Sequence, residues 1–152
     1  MTATQEYEAI RAFGEHEHRE LRWGTGRIHD AASSVSVGSR IEARRAVRDV
    51  VAWSGRTLEP HIAWEESWLY PQIEVMTGTP WSTRMARFDH GQIAALVARL
   101  RLDEATATHS LTPTSCSDLR CDLFSLEAVL NAHIDREEKL LLPLLDPPDP
   151  NS

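Results

Sequence analysis

Apolar positions recur at helical spacing along most of the chain, and no run of alternating residues bounded by hairpin turns interrupts them. The first such stretch spans about residues 5–31, with Leu21 and Ile28 seven apart on one face. Gly24 and Gly26 weaken it as a helix, and AASSVSVGS after it predicts a turn. A second stretch runs from about residue 40 to residue 74, with Ala46, Val47, Val50, Val51 and Leu58 in helical phase. Pro60 within it predicts a kink, Pro71 predicts distorted last turns, and MTGTP ends it. A third helix fits residues 81–104, with an apolar face of Met85, Phe88, Ile93, Leu96, Val97 and Leu100. ATATHSLTPTS reads as a loop. A fourth helix fits residues 117–142, capped by Ser115 or Ser117. These elements predict an all-α fold, an up-down-up-down four-helix bundle. One domain would span residues 1–152, with a core at about 14–146 and a mobile tail at 147–152.

Composition narrows the function classes. The net charge of −7 disfavours nucleic acid and anionic membrane as partners. No apolar run approaches the ~18 residues of a membrane span, and MTATQEYEAI has no secretory-signal pattern. Cys116 and Cys121 are too few for a disulfide framework or a cysteine-based zinc site, and ordinary packing is expected of them. A cytoplasmic protein with reduced thiols is the resulting expectation.

The frame His-Ile-x-x-Glu-Glu appears twice, as HIAWEE at 61–66 and HIDREE at 133–138. An offset of 72 superposes the copies and much around them. Leu58 meets Leu130, His61 meets His133, Glu65 meets Glu137, Glu66 meets Glu138, Leu69 meets Leu141 and Pro71 meets Pro143. The same offset carries Glu17, His18 and Leu21 onto Asp89, His90 and Ile93. The chain therefore holds an internal two-helix pseudo-repeat, and two such units facing each other would bury one core. In each HxxxE the histidine and glutamate share a helix face, one turn apart. His18, His61, Glu65, His90, His133 and Glu137 would meet at the pseudo-twofold axis. Two facing carboxylates there would repel, and one would take up a proton unless cations lie between them. Imidazole and carboxylate donors suit iron, zinc, manganese or nickel, and two shared carboxylates suit a dinuclear site.

Two HxxxE motifs, each preceded by a lone histidine on the previous helix, resemble the hemerythrin-like HHE cation-binding domains. EHREL at 17–21, HIAWEESWLYPQI at 61–73, DHGQI at 89–93 and HIDREEKLLLPLL at 133–145 carry the likeness over roughly residues 14–146. Ferritin-like diiron bundles reverse the order, with Glu-x-x-His. The resemblance implies two iron ions, joined by an oxo or hydroxo bridge. It would place Glu65 and Glu137 across both irons, His18 and His61 on one and His90 and His133 on the other. Oxygen-carrying hemerythrins have a further histidine four residues after the lone histidine of the third helix. Ala94 stands there, and Arg22 is its twin. The implied site is thus nearly symmetric, with an open or water-filled position on both irons. That shifts the expected function from reversible oxygen carriage towards reaction with dioxygen, peroxide or nitric oxide, with catalase-like breakdown as one form. A small diatomic or peroxide ligand is the expected partner. Rival readings are an iron- or oxygen-sensing module acting through a separate protein, and a bundle holding a structural metal.

The remaining polar residues have simpler expectations. His18 is preferred over His16 because it matches His90 and has an apolar residue three later. His29 suits an ion pair, and His109 falls in a loop. Glu66 and Glu138 are expected to be solvated or salt-bridged, with contact to the lone histidines as the alternative. Trp53, Trp64, Trp68 and Trp81 are expected to pack or cap the bundle. Tyr70 breaks the repeat and offers a further oxygen donor, but nine residues after His61 it points away from the site on an ideal helix unless Pro71 alters that phase, so it is not expected to be a ligand.

Overall fold

Four helical rods account for the apolar spacing in the computed structural model, which describes residues 3–37, 39–106 and 112–145. The first rod, α1, is Ala3–Val37. The second contains α2 (Arg40–Trp53), α3 (Glu59–Trp64) and α4 (Tyr70–Thr77) in one continuous path. The third is α5, Arg84–Thr106. The fourth is α6, Pro113–Arg136, continued by a π turn at Glu137–Leu141 and a 3₁₀ turn at Leu142–Leu145. No strand occurs among the described residues. The predicted loop residue His109 and the tail 147–152 lie outside them.

Each rod packs on two others, α1 on α2 and α6, α5 on α2 and α6. Cross-rod contacts run in opposite directions along each neighbouring pair. His29 meets Glu127 while Arg22 meets Asp135, and Arg101 meets Glu59 while Arg87 meets Glu74. The rods are therefore antiparallel in ring order, an up-down-up-down bundle.

Several boundaries differ from the sequence expectation. AASSVSV is helical, not a turn, because Ala31, Ala32 and Val35 are buried against the core. Tertiary packing outweighs the low helix propensity of serine and valine there. Ser39 then caps α2 with a complete capping box through Glu42. The fourth rod is capped by Thr112, not by Ser115 or Ser117. Thr112 accepts from the Ser115 backbone N–H, and Pro113 occupies the first turn, where its missing N–H costs nothing. Met85 and Phe88 are exposed, so the apolar face of α5 comprises Ala86, Ile93, Leu96, Val97 and Leu100. Trp81 is also exposed, while Trp53 is buried. The Trp53 ring lies so close to Gly24 that a Cβ there would enter it, so this glycine serves helix contact.

Three π turns break the α-helical register, at Ser54–Leu58, Glu65–Leu69 and Glu137–Leu141. Each ends two residues before a proline: Pro60, Pro71 and Pro143. A proline lacks the N–H and its ring crowds the carbonyl four residues back. Widening the preceding turn to i→i+5 bonds relieves that conflict without ending the helix. Accordingly, Glu59, Tyr70 and Leu142 donate backbone N–H to the carbonyls of Ser54, Glu65 and Glu137. The last two turns are twins under the offset of 72.

Two apolar clusters divide the bundle lengthwise. One includes Leu21, Leu58, Ile93 and Leu130, the other Ile10, Leu69, Ala86 and Leu142. On every rod, the paired histidines and glutamates of the repeat fall between the two.

Candidate metal centre

The six repeat residues converge in this interlayer. α1 supplies His18, α3 His61, α5 His90 and α6 His133, while Glu65 and Glu137 open their π turns. All are buried, at no more than 5% exposure. They form two donor groups, His18, His61, Glu65 and Glu137, and Glu65, His90, His133 and Glu137. Within each group the donor atoms lie within 4.8 Å of one another, and both groups contain both carboxylates.

All four imidazole Nε2 atoms face the carboxylates. His61 Nε2 is 2.6 Å from Glu65 Oε1, and His18 Nε2 is 3.1 Å from Glu137 Oε2. His90 Nε2 is 3.1 Å from Glu65 Oε2, and His133 Nε2 is 3.6 Å from Glu137 Oε2. Despite the 2.6 Å contact, neither His61 Nε2 nor Glu65 Oε1 has a hydrogen-bond partner, so that contact lacks hydrogen-bond alignment. His133 Nε2 is similarly orphaned. Buried donors and acceptors left unpaired cost roughly 1–3 kcal/mol each. Cations between the imidazoles and carboxylates would satisfy these atoms with the donor chemistry that transition metals favour.

Tyr70 lies inside this group, not on the outside as its position nine after His61 predicted. It is fully buried, donates its hydroxyl hydrogen to Glu137 Oε1, and places the oxygen 3.1 Å from His90 Nε2. Its ring stacks on His90 at an interplanar angle of 17°. The cause is the π turn: an i→i+5 bond from Tyr70 to Glu65 takes five residues around one turn, which returns Tyr70 to the Glu65 face. The twin position in the other π turn is Leu142. The near symmetry expected from the ligand set is therefore broken by a phenol on the His90 side.

A ring of outer carboxylates faces the histidine Nδ1 atoms. Glu66 Oε1 is 2.7 Å from His90 Nδ1, and its twin Glu138 is 3.4 Å from His18 Nδ1. Asp89 is 3.8 Å from His133 Nδ1, and its twin Glu17 is 3.7 Å from His61 Nδ1. Three of these carboxylates are also bound by arginines, Glu66 by Arg87, Glu138 by Arg22 and Asp89 by Arg136. Only the Glu66 contact to His90 Nδ1 is a hydrogen bond, and it fixes the tautomer that leaves His90 Nε2 free as a donor to metal.

The protonation pattern follows from burial and these contacts. Burial acts to raise the Glu65 carboxyl, but the imidazoles of His133, His18, His61 and His90 outweigh it and hold it well below the usual range. Glu137 is raised, first by burial and then by the Glu65 charge. Tyr70 is raised far above an ordinary phenol by burial and by both carboxylates, so it keeps its proton. Burial would lower His18, yet Glu137 and Glu65 push it up to about 9.

A family model for the hemerythrin HHE cation-binding domain matches residues 10–145. The chain belongs to the hemerythrin family. Comparison with curated proteins and with solved structures brought no match.

Against the hemerythrin pattern, the structure brings together all six residues singled out by the repeat. His16 is exposed and contacts Arg19, away from the group. His29 pairs with Glu127, in line with expectation. Ala94, where the oxygen-carrying hemerythrins have their extra histidine, is exposed, so this helix position faces away from the centre. Trp64 lies 6.1 Å from the His61 ring, between centroids, and stacks on Trp68. Sequence reasoning assigned no role to Glu17, Asp89, Arg87 or Arg136. The signal was present for the first two, since both immediately precede a lone histidine and match under the offset of 72. No helix among the described residues is long and apolar enough to cross a membrane.

Proposed function

We propose that this hemerythrin-family chain holds two iron ions in the paired donor groups and there binds or reacts with dioxygen, peroxide or nitric oxide. The observation that carries the reading is the sharing of both Glu65 and Glu137 between two histidine pairs. His18, His61, Glu65, His90, His133 and Glu137 would be the ligands. Iron held there would supply redox electrons and Lewis acidity.

The chain contributes position, dryness and a proton. Glu65 and Glu137 each present both oxygens to the centre, and the Nε2 atoms approach from four separate helices. The apolar clusters on either side limit water, which strengthens every charge interaction between them. Tyr70 holds a hydroxyl hydrogen on Glu137 Oε1, the sole phenol among the buried residues there. Glu66 keeps the His90 imidazole oriented through its Nδ1. Peroxide breakdown is the enzymatic form of this reading.

The test is anaerobic loading with ferrous iron, followed by peroxide or nitric oxide under optical observation. The expected result is about two irons per chain, a spectral response, and its loss in Glu65→Ala and His133→Ala. Retained iron with no response to any of the ligands would contradict the redox reading, and zinc in preference to iron would leave a structural clamp.

A further inference from the structure

The two halves of the donor set are alike in ligands but not in their support, and this asymmetry rests on the metal-centre reading above. On the His90/His133 side, Glu66 lies at full hydrogen-bond distance from His90 Nδ1, 2.7 Å, and Arg87 grips its other oxygen. Asp89, facing His133, has a side chain only 7% exposed and is held by Arg136, with Nε at 3.0 Å. The Tyr70 hydroxyl adds an oxygen 3.1 Å from His90 Nε2.

The twin positions are looser. Glu138 stands 3.4 Å from His18 Nδ1, too far off geometry to bond it, and Nδ1 is left without a partner. Its arginine, Arg22, is shared with Asp135 at 2.7 Å, much as Arg87 is shared with Glu74 at 3.0 Å, so the difference lies at Nδ1. Glu17, facing His61 at 3.7 Å, is 30% exposed; His61 and His133 alike lack hydrogen-bond partners on both nitrogens, so this pair differs only in the burial of Asp89 and its hold by Arg136. Leu142 replaces the phenol. A ligand already oriented loses less freedom on binding a cation, and outer partners of ligating histidines commonly set about 10–100-fold in metal affinity.

We infer that the His90/His133 half takes up the first metal ion and the His18/His61 half the second. Once one ion is bound, its charge opposes entry of the next across the shared carboxylates, which separates the two steps. Glu66 and Asp89 are then positioning residues for the first step, and Glu138 and Glu17 for the second.

The test is calorimetric and optical titration of the metal-free protein with cobalt(II), comparing twin substitutions. Wild-type protein is expected to bind two ions in two resolved steps. Glu66→Gln should weaken the first step by about tenfold and leave the second, while Glu138→Gln should weaken only the second. Asp89→Asn and Glu17→Gln form an independent pair with the same expected division. Equal effects within each pair, or first-step loss in Glu138→Gln and Glu17→Gln, would overturn the order while leaving a two-metal centre intact. Failure of the wild-type protein to bind cobalt would remove the metal-centre reading and this inference with it.

Discussion

Replacing Tyr70 by phenylalanine isolates the consequence of one π turn. The ring, its burial and its stacking on His90 are retained, and only the hydroxyl is lost. That hydroxyl donates to Glu137 Oε1 and lies 3.1 Å from His90 Nε2. Without it, a buried carboxyl oxygen loses its donor, at a cost of about 1–3 kcal/mol. In a chain of 152 residues each kcal/mol lowers Tm by about 2–4 °C, so a fall of roughly 2–12 °C is expected. Urea unfolding of the metal-free protein should show a lower midpoint with an unchanged slope, because the surface exposed on unfolding is the same. On an uninterrupted α-helix, Tyr70 would sit half a turn from the His61 face, and the substitution would be neutral to within about 0.5 kcal/mol. A neutral result would refute the register argument and remove Tyr70 from the site.

Further predictions concern glycines and protons. Gly24→Ala should destabilise by about 1–3 kcal/mol despite better helix propensity, because the methyl enters the Trp53 ring, whereas Gly26→Ala meets nothing and should stabilise by up to about 1 kcal/mol. Thermal melts of both metal-free variants decide this. His18, raised to about 9 and paired with Glu137 and Glu65, adds stability that is complete below about pH 6.5 and is lost as pH rises through about 9. Glu65, held well below its usual value, adds stability present above about pH 4.5 and lost as pH falls. Melting of the metal-free protein should therefore weaken on the alkaline side, and His18→Gln should flatten that limb. With His18 raised to about 9 in the metal-free protein, metal binding at neutral pH should release about one proton per chain, measured by calorimetry in buffers of different ionisation enthalpy.

The antiparallel bundle and the six converging residues were legible because two periodicities reinforced each other. Helical spacing placed His61 with Glu65 and His133 with Glu137, and the offset of 72 linked them to His18 and His90. Such agreement between local pattern and global repeat is what a well-specified fold provides. Errors arose where tertiary contact overrides propensity. Ala31, Ala32 and Val35 keep α1 helical through a serine-rich stretch, and Met85 and Phe88 occupy helix positions that the ring of rods leaves uncovered. Tyr70 was misplaced because residue counting assumed 3.6 residues per turn through a proline-directed π turn. Pro71 was the visible clue, and its twin Pro143 repeats the device. The outer carboxylates are half-visible: salt bridges are the favoured expectation for Glu66 and Glu138 and both make them, while the alternative, contact to a lone histidine, is realised as a hydrogen bond by Glu66 on His90, because it depends on the crossing of helices distant in sequence.

The central claim is that two ions lie between these histidine pairs and share both glutamates. Anomalous diffraction at the iron edge, from crystals of iron-loaded protein, tests it most directly. Two peaks are expected, one beside His18 and His61 and one beside His90 and His133, each within bonding distance of Glu65 and Glu137. A single peak, or iron held elsewhere while Glu65 and Glu137 contact no metal, would contradict the account.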